Sequence, residues 1–257
     1  MIQSVEKAMK ILSILSDNHC KPLPLQEIAK TADIPKSTCS HILATLARQG
    51  YVLRVSYTDG YMLGPQTYYL TRYGKYEDDL ISLCRPVMRW LHKKSGQSII
   101  LAVAQAEKKY VLEYIDTDNN LPFGNATIVA DDIYRTATGR VLLANMERSE
   151  ARAVYDKYGS PKSDHWPEVT SWESLCLALD KIRPKDIICT QNSHHLEQRL
   201  LTGYGKAFFK DSRCMGALGI AVGPMPEEPQ AWKETDKLYR KLLTTAANEI
   251  TRRLSYQ

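Results

Sequence analysis

Nothing in this 257-residue chain approaches the roughly 18 consecutive apolar residues that a membrane-spanning helix needs. Its first helix-like stretch contains Glu6, Lys7 and Lys10, which does not fit a secretory leader. The six cysteines (Cys20, Cys39, Cys84, Cys176, Cys189 and Cys214) never fall at CxxC spacing. That excludes the common zinc and dithiol patterns and points to free thiols in a reducing cytoplasm. Signatures of catalysis are also missing: no G-x-S-x-G, no H-E-x-x-H and no glycine-rich phosphate loop. Gly203-Tyr204-Gly205 lacks the third glycine and the helix start of a dinucleotide site. There are no repeats and no low-complexity tract, and no cofactor is expected. Neither charge sign dominates: 34 Lys+Arg oppose 29 Asp+Glu, a net of +5, which suits nucleic acid without requiring it.

What is present concentrates between Leu25 and Pro65. LQEIAKTADIPKSTCSHILATLARQ reads as two short helices around the turn Ala32-Asp33-Ile34. Leu25, Ile28, Ala29 and Ala32 form the apolar stripe of the first helix. In the second, Cys39, Ile42, Leu43 and Leu46 share one face. The other face carries Ser37, Ser40, His41, Ala44, Thr45 and Arg48. Those small or hydrogen-bonding groups are what a helix needs to reach base edges in a major groove. Pro35 suits a first helical turn, and Gly50 suits a left-handed stop. Tyr51, Leu53 and Val55 then alternate with Val52, Arg54 and Ser56, and Asp59-Gly60 marks a hairpin turn. Upstream, Val5, Ala8, Met9, Leu12 and Leu15 predict a third helix packed through those residues, with Ser4 as its N-cap. The sum is a winged helix-turn-helix. Residues 1–65 hold seven Lys/Arg and five Asp/Glu, so phosphate contact rests on a few groups: Lys30, Lys36, Arg48 and Arg54. The expected DNA-facing set is Lys36, Ser37, Thr38, Ser40, His41, Thr45, Arg48 and Arg54.

These motifs carry a resemblance. SVEKAMKILSIL, LQEIAKTADIPKSTCSHILATLARQGYV and GYMLGP resemble the IclR-type transcriptional regulators in order and spacing. RPVMRWLHKKSGQS and TATGRVLLA resemble two segments of the second domain of that family, with Gln97 and Ser98 replacing commoner residues. The resemblance implies an α+β chain: a winged helix-turn-helix followed by a GAF-like or profilin-like effector-binding domain. The expected boundaries are 1–65 for the DNA-binding domain, 66–77 for a linker helix and 78–257 for effector binding and oligomerisation. Periodicity adds a helix over Asp79–Lys94 that Pro86 should bend or shorten. It also places strands at 99–104, 110–114, 127–130, 187–191, 206–209 and 218–222, and helices at 138–145, 149–158, 172–181 and 232–254.

The second domain offers several candidate sites. Thr136-Ala137-Thr138-Gly139 enters a helix, where backbone N–H groups favour an anion, and Arg135 adds a cation. The resemblance places a pocket wall here. It also implies a Cys near Gly203 and two serines near Ile220 and Val222, and none of these is present. Gln191, Asn192 and Ser193 are the remaining polar candidates. The expected effector set is Arg135, Thr136, Ala137, Thr138, Gly139, Gln191 and Ser193, with a carboxylate or sugar acid as ligand. Adjacent His194 and His195 point to opposite faces if extended, so no metal site is expected. Tyr68, Tyr69, Tyr73 and Tyr76 suit interdomain or dimer packing. The expectation is a cytoplasmic, non-enzymatic regulator, acting as a repressor. It would be a homodimer or homotetramer on palindromic double-stranded DNA, released by a small molecule. An enzyme using the winged helix as a protein-interaction module remains the alternative, beside a DNA-binding protein with no ligand.

Overall fold

The chain forms two compact units in a computed structural model, and it divides after Lys75. The structure describes residues 2–16, 21–55, 60–72, 75–116, 129–130, 133–182, 187–193, 200–223 and 225–256. At the ends of some helices and strands only the backbone is described. Asp59, Tyr73, Thr127, His194 and His195 lie outside the described residues, as does the side chain of Tyr76.

The first unit contains α1 (Gln3–Ser16), β1 (Leu23–Pro24), α2 (Leu25–Ala32), α3 (Lys36–Arg48), β2 (Val52–Val55), β3 (Gly60–Leu63) and α4 (Pro65–Arg72). Ile28, Ala29 and Ala32 of α2 meet Cys39 and Leu43 of α3 and Val52 of the wing in one core. Burying a leucine such as Leu43 contributes about 1.5–3 kcal/mol. The wing has three strands in the order β1-β3-β2, because Leu23 and Pro24 pair with Tyr61 and Gly60. Pro24 is tolerated there because β1 is an edge.

Two details of α1 differ from the sequence expectation. The helix begins at Gln3, with Val5 and Glu6 N–H donating to the Ile2 carbonyl, so Ser4 sits within the first turn rather than capping it. Its core face is also rotated. Ile11 and Leu15 are buried, whereas Val5 and Met9 are exposed. Apolar residues occur on both sides of this helix: Leu12 and Leu15 of the expected face do pack on the core, while Val5 and Met9 do not.

The end of α3 is a Schellman arrangement. Gly50 lies at φ +77°, its N–H donates to Ala47 O, and Tyr51 N–H donates to Leu46 O. The Gly50 carbonyl then accepts from Gln66 N–H, while Gly64 N–H donates to Tyr51 O at 2.8 Å. The chain leaving the wing therefore lies directly against the α3 cap. A Cβ on Gly64 would sit 2.2 Å from the Gly50 oxygen.

The second unit is a six-stranded antiparallel sheet of order β6-β5-β4-β9-β8-β7. Its strands are β4 (Ser98–Gln105), β5 (Lys108–Ile115), β6 (Val129–Ala130), β7 (Ile188–Ser193), β8 (Leu200–Lys210) and β9 (Arg213–Val222). One face packs on α5 (Lys75–Ser95) and α9 (Pro229–Leu254) through Ile99, Leu101, Tyr204, Phe208, Leu218 and Ile220. The opposite face carries α6 (Ala137–Ala144), α7 (Arg148–Tyr158) and α8 (Trp172–Ile182) around Ala102, Ala207 and Ala217. Pro86 does not shorten α5, which starts at Lys75. Both Pro86 and Ser82, whose carbonyl loses its donor, are exposed, so water can satisfy that group. Strands β8 and β9 run longer than periodicity suggests. Gly203, Gly205, Gly216 and Gly219 lie inside them; Gly203, Gly205 and Gly219 form a shallow landing for α6, and Gly216 makes room for the Phe208 ring. The β4–β5 and β8–β9 turns use Ala106-Glu107 and Asp211-Ser212, all four at positive φ, the backbone of a type I′ hairpin.

Replacing Gly64 by Ala should cost roughly 2–3 kcal/mol by forcing the wing away from the α3 cap. Hydrogen exchange should then show lost protection within residues 21–72 and unchanged protection in the sheet of the second unit. Equal protection in both units would show that the close contact carries little energy.

Candidate DNA-facing helix and ligand-facing sheet

Helix α3 divides its residues sharply. Cys39 and Leu43 are buried and Ile42 and Leu46 half-buried, while Lys36, Ser37, His41, Ala44, Thr45 and Arg48 are exposed. Thr38 and Ser40 are half-buried at the margin of the exposed face. Arg54 is exposed on β2. Thr45 Oγ1 donates to the His41 carbonyl at 3.0 Å, which leaves its oxygen able to accept. Pro35 stands at the N-cap rather than within the first turn, and no side chain caps the helix there. The backbone donors of that turn, next to Lys36, suit an anion such as a phosphate oxygen.

In the second unit the first turn of α6 lies against bare backbone. Cβ atoms on Gly205 and Gly219 would come within 2.6 Å of Ala137 C and Thr138 Cγ2. Thr136 caps α6 through Oγ1, which accepts from Gly139 N–H at 3.1 Å and from Lys109 Nζ at 3.1 Å. Ala137, Thr138 and Gly139 are buried; Arg135 and Thr136 are half-buried. Gly139 is required by packing, since its Cβ would stand 2.1 Å from the Ile133 oxygen. Arg140 anchors the approach to this turn. It donates to the Tyr134 carbonyl at 2.7 Å and to the His165 carbonyl, and its guanidinium lies 4.1 Å over Trp166.

Strand register sorts the remaining candidates by face. Thr190 pairs with Gly203 and shares its α6-side face, where a Cβ built on Gly203 would stand only 3.3 Å from Thr190 Oγ1 and 3.8 Å from Ala137 Cβ. Gln191 pairs with Thr202 and therefore faces the α9 side, away from Thr136–Gly139. Ser193 pairs with Leu200 at the strand end, and its side chain is not among those described. Ile220 and Val222 belong to the α5–α9 core, so neither could present a serine to α6; the β9 positions that face α6 are Gly219 and Ala221.

Three polar groups on the α6-side face were not anticipated. Lys109 is only 1% exposed. Ser98 is fully buried and donates to Asp116 Oδ1 at 2.9 Å. Tyr114, cross-strand from Ile100, has its phenol pushed up to about 12 by burial. The available signal was alternation: Ser98 and Lys109 occupy inward positions of strands that are otherwise apolar on that side.

Catalytic chemistry finds little support in these groups. Burial raises the thiols of Cys39 and Cys189, and pushes Cys84 to about 12 and Cys214 to about 11, so little thiolate is present at neutral pH. The five described cysteines are unpaired. No cluster of three potential metal ligands occurs among the described residues. No described helix is long and apolar enough to cross a membrane. A groove of about 860 Å³ lies at the far end of α6, lined by Leu142, Met146, Val154, Cys214 and Met215, and it includes none of the expected effector residues.

Alkaline titration followed by phenolate absorbance should show Tyr114 holding its proton to about pH 12. The unfolded chain releases that proton near pH 10, so stability should fall as pH rises from about 10 towards 12. Tyr114→Phe should remove the late step from the difference spectrum. A Tyr114 step near pH 10 would mean that the phenol is solvated.

Comparison with known proteins gives a consistent match along the chain. The model of the IclR helix-turn-helix domain matches residues 4–56. The model of the bacterial transcriptional regulator IclR C-terminal domain matches residues 76–251. The regulator TtgV of Pseudomonas putida is 32% identical over 256 residues, covering 96% of this chain and 90% of that protein. The regulator KdgR of Escherichia coli is 24% identical over 255 residues, covering 99% and 94%. Among solved structures, an IclR homologue from Microbacterium hydrocarbonoxydans complexed with 4-hydroxybenzoate superposes with a TM-score of 0.74. It is 17% identical and covers 99% of this chain and all of that one. These matched proteins are regulators rather than enzymes.

Proposed function

The chain belongs to the IclR family of transcriptional regulators, proteins that bind DNA and a small-molecule effector, and we propose that it is a cytoplasmic repressor whose grip on operator DNA is loosened by a small acid. The observation that carries the DNA half is α3, with its exposed row of hydrogen-bonding side chains and a cationic N-terminus that no side chain caps. In this reading Ser37, Thr38, Ser40, His41 and Thr45 reach base edges, and Lys36, Arg48 and Arg54 reach phosphates. Two copies of the chain, as a homodimer or within a homotetramer, set two α3 helices in successive major grooves of a palindromic site, about 34 Å apart.

The effector half rests on the sheet beneath α6. The ligand approaches the first turn of α6, Thr136, Ala137, Thr138 and Gly139, beside the Thr190–Gly203 pair, and it enters by displacing the Thr190 side chain that now lies against Gly203. Arg135 and the buried Lys109 supply positive charge on the same side. Gln191 faces the other way, and Thr190 takes its place in the proposal. A carboxylate suits the cations and the helix terminus, and the glycine and alanine floor suits a compact apolar or sugar-like remainder. The 4-hydroxybenzoate bound by the Microbacterium homologue has both parts. A coupling of about 1–3 kcal/mol between the two sites gives a five- to 150-fold change in DNA affinity.

On duplexes selected by the chain itself, Lys36→Ala should weaken all sequences alike and lower the salt slope by about one. His41→Ala should relax preference at one base pair. Gel-shift titrations that leave both variants unchanged would remove α3 from the interface. For the effector, Gly203→Leu should leave DNA affinity intact while abolishing the thermal shift produced by the active member of a panel of aromatic and sugar acids. A full shift in that variant would place the ligand elsewhere.

A further inference from the structure

The groove at the far end of α6 takes no part in the proposed effector site. It measures about 860 Å³, within the range of clefts that hold small molecules. The β4–β5 and β8–β9 turns, at one end of the sheet, border it together with the α6–α7 junction. Leu142, Met146, Val154, Cys214 and Met215 give it an apolar lining. Two of these are methionines, whose unbranched, polarisable side chains adapt to varied apolar shapes.

The charge around this lining is mainly negative. Glu107, Glu147, Glu150 and Asp211 border the groove, and Arg213 is the one cation among its lining residues. Lys157, outside the lining, offsets Glu107 at 3.2 Å. Glu147 and Glu150 cap α7 reciprocally and so offset the positive pole of that helix. They keep their charge, because the groups they cap are neutral backbone N–H groups. Main chain adds to the same sign. Helix α6 ends here with no basic residue in its last turn, so its own sequence does nothing to oppose its negative pole.

We propose that this groove binds a small apolar amine, an alkyl or aryl body carrying one ammonium group. The body packs on Leu142, Met146 and Val154, and the ammonium stays at the carboxylate rim, where it keeps part of its hydration. A carboxylate ligand meets repulsion at that rim. This separates the groove from the proposed effector site, where the nearby charges are the cations Arg135 and Lys109. The two sites share no residue and use opposite ends of α6. A bound amine is therefore a second input to the same domain, and the groove's preference for it does not depend on the effector reading.

The test is isothermal titration calorimetry of the full chain with 4-phenylbutylamine, 4-phenylbutanol and 4-phenylbutyrate, which share one apolar body and differ in charge. The amine should bind about tenfold more tightly than the butyrate, with the alcohol between them, and the gap should narrow at high salt. Ala153→Trp fills the groove from an exposed position of α7 and should abolish binding. Asp211→Asn combined with Glu107→Gln should weaken the amine about threefold and leave the alcohol unchanged. Equal binding of amine and butyrate, no saturable binding of the amine, or amine binding that survives Ala153→Trp would overturn the proposal. So would a change of copy number in Ala153→Trp by light scattering, since a second copy of the chain would then be the occupant.

Discussion

Close backbone approach, at points where side chains are absent, is the constraint on which both halves of this protein depend. In the first unit Gly64 lies on the carbonyl of Gly50, which ties the wing to the C-terminal cap of α3. In the second, Gly205 and Gly219 let the first turn of α6 rest on the sheet. Each contact places a helix end more tightly than packing of larger residues could, because backbone cannot change rotamer. A methyl group at Gly64 or Gly205 would have to displace main chain, and one at Gly219 would stand 2.6 Å from the Thr138 methyl.

The functional surfaces follow from those two placements. With α3 held by its cap and by Cys39 and Leu43, its hydrogen-bonding residues are left on the outside as a rigid row. With α6 seated on bare sheet, its N-terminal turn faces a floor of glycine and alanine. Lys109 reaches that turn through Thr136 Oγ1, Arg135 directly precedes it, and Gly203 lies against Thr190 and Ala137. The α5–α9 side of the same sheet is apolar and closed by comparison. Both faces are packed apolar cores, and the α6 side also buries the polar groups Ser98 and Lys109.

Much of this was legible in the residues and some was not, for identifiable reasons. The apolar and polar faces of α3, the left-handed stop at Gly50 and the cap at Thr136 follow from local rules, and the structure has each where those rules put it. Val5 and Met9 of α1 were assigned to the core with Leu12 and Leu15 because the helix is apolar on two sides, and only tertiary packing separates the two pairs. Strands β8 and β9 looked short because their glycines resemble breakers, and the reason for those glycines is a helix far away in sequence. Gln191 was among the polar candidates and its neighbour Thr190 was not, but a one-residue step in a strand reverses the face. The same step removes Ile220 and Val222 from the α6 side. Lys109 escaped notice because a lysine in a strand is ordinarily solvated, and its burial depends on α6 covering an edge of the sheet.

The most direct measurement is selection of duplex DNA from a random pool by the full chain, followed by sequencing of the retained molecules. The account predicts enrichment of two related half-sites in inverted orientation, their centres about one helical turn apart. Retention without sequence enrichment, or enrichment of one unrepeated half-site, would contradict it.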